Sequence, residues 1–130
     1  MAYKHVFVVG FPDENLANLN CFLQMTGCRV SAAKNAMEAV NLMLSKKFAF
    51  RSLDLILMGN CVLFLQFMDM FDGVIKLSKK YSFLVVDEFG LQERFKDMLD
   101  ENKSQHEIEF CSNRDLIDKF QSILRNGTWA

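Results

Sequence analysis

Proline occurs once in 130 residues and glycine six times. So little of either excludes collagen-like and low-complexity chains. Charge of one sign is lacking as well: Lys and Arg number 15, Asp and Glu 16, and the formal net charge is −1. Nucleic-acid-binding domains usually show a clearly basic balance, so direct nucleic-acid binding is not expected. No apolar run reaches the ~18 residues of a membrane span. The longest candidate, Cys61 to Phe71, is broken by Gln66 and Asp69, so no membrane role is expected either. The four cysteines, Cys21, Cys28, Cys61 and Cys111, form no C-x-x-C pair, and no histidine sits near them at zinc spacing. With no secretory signal and ample core, they are expected to be small buried hydrophobes in a cytoplasmic protein.

What the chain does have is apolar material. Hydrophobic residues make up 51%, enough for a core and too much for intrinsic disorder. The length fits one domain, 1–130. Strand-like and helix-like segments alternate along it. His5 to Gly10 is a short β-branched and aromatic run, so a buried strand. Pro12-Asp13-Glu14-Asn15 supplies turn and cap chemistry, and Leu16, Leu19, Phe22 and Leu23 recur at helical spacing until Gly27. Cys28 to Ala32 reads as a second strand. Asn35 can cap a helix with the stripe Ala36, Ala39, Val40, Met43 and Leu44.

The third strand, Leu53 to Met58, is almost continuously apolar, as strands buried on both faces are. A helix follows between Cys61 and Lys80, then a strand at Ser82 to Val86. Leu91, Phe95, Met98 and Leu99 form a fourth helical stripe. Glu107 to Cys111 is a weaker strand, and Leu116, Ile117, Phe120, Ile123 and Leu124 mark a last helix. Five β-then-α units predict an α/β fold: a flavodoxin-like, doubly wound, five-stranded parallel sheet of order 2-1-3-4-5. Ligand chemistry in such sheets gathers at the carboxyl ends of the strands, beside the switch between strands 1 and 3.

These segments resemble the receiver domain of bacterial response regulators over nearly the whole chain. Val8-Val9 before a turn resembles the end of the first receiver strand. Ala32 to Val40 resembles the entry into the second helix, and Asp54 to Met58 the strand that normally ends in the phosphorylated Asp. Asp72-Gly73 resembles the pair that opens the third helix. The resemblance implies a (βα)5 signalling module with a Mg²⁺ site at the carboxyl edge. Two acids after strand 1 and an Asp after strand 3 hold the ion, and oxygen ligands suit that hard cation. The Asp becomes an acyl phosphate, and a Thr or Ser after strand 4 and a Lys after strand 5 bind the phosphoryl oxygens.

The sequence departs at every one of those positions. The acidic pair falls on Gly10 and Phe11, the nucleophile on Gly59 beside Asn60, the Thr or Ser on Asp87, and the Lys near Ser112 or Asn113. Glycine has no side chain to phosphorylate, and neither Gly10 nor Phe11 offers a carboxylate. Phe11 is expected to put apolar bulk where the ion would sit. Asp13 and Glu14 read first as helix N-terminal acids; a cation shared by Asp13 and Asp87 is the alternative. Asp54 begins its strand, so it lies at the far end of the sheet. No cofactor, no metal and no enzymatic activity are expected.

The apolar stretch from Asn60 to Phe71 is longer than the family's usual connection. Either it fills the vacant pocket, or Phe64, Phe67, Met68 and Phe71 form an exposed patch for a partner or a second copy. His5 and His106 read as structural, and Lys46-Lys47 and Lys79-Lys80 as helix C-terminal cations. Trp129 fits a junction to an output domain. The leading expectation is a degenerate receiver in bacterial signalling. It would contact a protein partner, an output domain or a second copy without phosphorylation. The alternatives are a small-molecule or divalent-cation binder on a flavodoxin-like fold, or a thiol enzyme using Cys61 or Cys111. The acids and Pro12 after strand 1 suit phosphate or flavin poorly.

Overall fold

Strands and helices alternate as the sequence predicts: β1 (His5–Val9), α1 (Asp13–Met25), β2 (Arg29–Ala33), α2 (Ala36–Leu44), β3 (Leu55–Met58), α3 (Cys61–Val74), β4 (Ser82–Val86), α4 (Leu91–Arg94), α5 (Lys96–Lys103), β5 (Glu107–Cys111) and α6 (Leu116–Arg125). The computed structural model describes residues 5–45, 53–74, 81–103 and 107–125, without the side chains at 71–74, 101–103, 124 and 125. His106, Lys46-Lys47, Lys79-Lys80 and Trp129 lie outside the described residues.

All four strand pairings are parallel, in the order β2-β1-β3-β4-β5. This is the predicted doubly wound sheet. The three inner strands are buried nearly throughout, while the edge strands β2 and β5 are mostly half-exposed or exposed. Period-2 alternation divides the core into two layers. Phe7, Val9, Ile56, Met58, Phe83 and Val85 face α2, α3 and α5. Val6, Val8, Leu55, Leu57, Leu84 and Val86 face α1 and α6, where Leu19, Leu23, Leu116 and Phe120 meet them. Both faces of the sheet are therefore covered, which is why the inner strands read as apolar runs rather than alternating ones.

Local chemistry sets the helix starts. Asn35 caps α2, its side-chain oxygen accepting the Glu38 N–H at 2.9 Å. Pro12 stands at the start of α1, whose first turn carries Asp13 and Glu14 without a side-chain cap hydrogen bond. The residues of the fourth stripe do not share one helix. The segment breaks at Phe95 into α4 and α5, and Met98 is 53% exposed. Leu44 likewise faces outward, as does Cys21, against the expectation that all four thiols are buried. Asp72 and Gly73 fall in the last turn of α3 rather than at its opening, because only two residues separate the end of β3 from the start of the helix.

Candidate functional site at the carboxyl edge

The chain leaves β1 at Gly10 and β3 at Gly59, and these two residues touch. Gly59 N–H donates to the Val9 carbonyl at 2.8 Å, extending the β1–β3 ladder past its last pair. A Cβ on Gly59 would lie 2.3 Å from the Gly10 carbonyl oxygen and 2.8 Å from its carbonyl carbon. Side chains cannot approach backbone that closely, so glycine here is a requirement of space. Gly10 is constrained in another way. Its φ is +79°, the left-handed region that glycine occupies without strain, and a Cβ there would sit 2.0 Å from Leu63 Cδ2. Its N–H is held by the Ala33 carbonyl at 2.9 Å.

Leu63 is therefore the residue that covers the switch point. Sequence reasoning did not single it out. Asn60 explains how it arrives there: its side-chain oxygen accepts the Leu63 N–H at 2.7 Å, an N-cap that starts α3 directly after a two-residue link. The third position of that helix then turns a leucine, 7% exposed, onto Gly10. A short Gly-Asn link followed by an apolar third position was the available signal.

Phe11 does not fill the pocket as expected. It is buried in the opposite layer, with the α1 and α6 side chains. The apolar patch also needs correction. Phe64 and Phe67 are fully buried and Met68 nearly so, within the α2–α3 layer, with both phenylalanine rings set edge-on to Phe83. They are core, not surface, and the side chain of Phe71 is outside the described residues. Val62, Gln66 and Asp69 take the outward positions, so α3 is an ordinary amphipathic helix.

The acids at this edge are engaged elsewhere. Asp87 accepts the N–H groups of Leu91 and Gln92 at 2.8 and 2.9 Å and so starts α4. Its own N–H donates to the Cys111 carbonyl at 2.7 Å. Ser112 Oγ accepts the Asp115 N–H at 3.2 Å and donates to its carboxylate at 3.1 Å, starting the turn into α6. The Asn113 N–H donates to the Glu88 carboxylate, tying the β4–α4 turn to the β5–α6 turn. Asp13 is exposed on α1. Among the described residues, no group of three His, Cys, Asp or Glu side chains is placed to hold a metal ion.

Both candidate thiols are held in the protonated form. Burial pushes the Cys61 thiol up to about 11, helped by the Asp87 carboxylate. Burial does the same at Cys111, again to about 11, with Asp115 adding to it. Nucleophilic cysteines need the opposite shift. Asp54 lies at the amino edge, as the sequence places it, accepting the His5 backbone N–H at 2.8 Å. An open groove of about 500 Å³ lies between the start of α2 and the middle of α3, lined by Asn35, Ala36, Met37, Gln66, Asp69 and Met70.

No protein-family model matches the chain, and no curated protein sequence does. Solved structures do match. A CheY-like response regulator receiver domain from Methylobacillus flagellatus aligns over 96% of this chain and 98% of its own, with a TM-score of 0.68 and 14% identity. A two-component response regulator from Clostridium difficile aligns over 94% and 96%, with a TM-score of 0.63 and 16% identity. The fold is thus that of CheY-like receiver domains, in agreement with the resemblance read from the sequence. No helix among the described residues is long and apolar enough to cross a membrane.

Proposed function

We propose that residues 1–130 form one receiver-type signalling domain. Its carboxyl-edge site no longer takes a phosphoryl group, and it acts by protein contact, with a partner or an output domain supplying the response. The observation that carries this reading is the backbone closure of Gly10 on Gly59 beneath Leu63. The acceptor position has lost its carboxylate, and it has also lost the space in which one could stand. The neighbouring polar groups, Asp87, Ser112 and Asn113, are engaged in starting α4 and joining the β4–α4 and β5–α6 turns. A cation- or small-molecule-binding role has no specific observation in its favour, and the high thiol pKa values argue against cysteine catalysis.

The test is incubation of the full chain with Mg²⁺ and acetyl phosphate, read by intact mass. The expected result is an unchanged mass. A base-labile gain of one phosphoryl group overturns the reading.

A further inference from the structure

We draw no further inference here: the strongest candidate, the open groove between the start of α2 and the middle of α3 where Met37 and Asp69 are exposed, carries none, because nothing in the structure shows what covers it.

Discussion

At the amino edge of the sheet, His5 is 2% exposed and its Nε2 lies 2.9 Å from Ser31 Oγ; at the carboxyl edge, Gly10 and Gly59 meet through bare backbone beneath Leu63. Doubly wound sheets usually gather their polar chemistry at the carboxyl ends of the strands. Here the buried imidazole is at the other end. The amino edge keeps it by satisfying it, since buried polar groups persist only when they are partnered. Asp54 joins this arrangement through two backbone bonds to His5, its carboxylate accepting one and its N–H donating the other at 2.9 Å. The carboxyl edge differs at the switch point, where backbone and a leucine close the gap. An edge sealed that way is hard to reopen by restoring one residue.

The largest expected effect follows from that closure. Gly59→Asp puts a carboxylate where the proposed reading places a receiver's acceptor, yet its Cβ would have to displace the Gly10 carbonyl, 2.3 Å away. Because the neighbour is backbone in a strand ladder, the loss should be about 3 kcal/mol or more. Urea unfolding of the variant measures it. A Gly59→Asp protein of parental stability that accepts phosphoryl from acetyl phosphate would show that the seam opens freely and would erase the contrast between the two edges.

Leu63→Ala tests the cover rather than the seam. The side chain is nearly buried, so its removal should cost about 2–3 kcal/mol, toward the low end for leucine because the site borders solvent. The same variant should make Gly10→Ala better tolerated, since the Cβ would no longer meet Leu63 Cδ2; only the strain of the positive φ remains. A double-mutant cycle with no coupling would mean that Leu63 does not sit over Gly10. A smaller effect, about 1 kcal/mol, is expected for Asp87→Ala, which frees two N–H groups at the start of α4. Loss of amide protection confined to α4 and the β4–α4 turn would localise it.

The fold was readable because its signals are periodic and repeated. Five strand-like runs alternate with helical stripes, and the inner strands Val6 to Val9 and Leu55 to Met58 are apolar on both faces because both faces are covered. That position 59 carries no side chain was also readable, and the structure shows that none fits there. The residue that covers the switch point was not readable. Phe11 and Leu63 are both apolar residues just past a strand, and which one turns over Gly10 depends on where α3 starts, a matter of one Asn60 hydrogen bond. Nor did the composition of α3 reveal that Phe64, Phe67 and Met68 point inward. All three join the core layer between α3 and the sheet, where Phe64 and Phe67 pack edge-on against Phe83 of the following strand.

The amino edge yields the smallest expected effect and one of opposite chemistry. Burial disfavours the charged imidazole, and Arg29 adds repulsion, while Asp54 partly offsets both; together they hold His5 below its ordinary 6.5. Once pH falls below about 6.5, the unfolded chain therefore binds a proton that the folded chain resists. Stability present at neutral pH is lost progressively through that window and levels off below the folded-state value. His5→Gln, which retains a polar group toward Ser31, should remove this contribution while leaving the acidic-residue titrations in place. Urea midpoints at neutral and mildly acidic pH make the comparison: the parent should fall further than the variant between the two. Parallel pH dependences would mean that His5 is protonated as easily in the fold as outside it, and the amino edge would then be no drier than the exposed turns opposite.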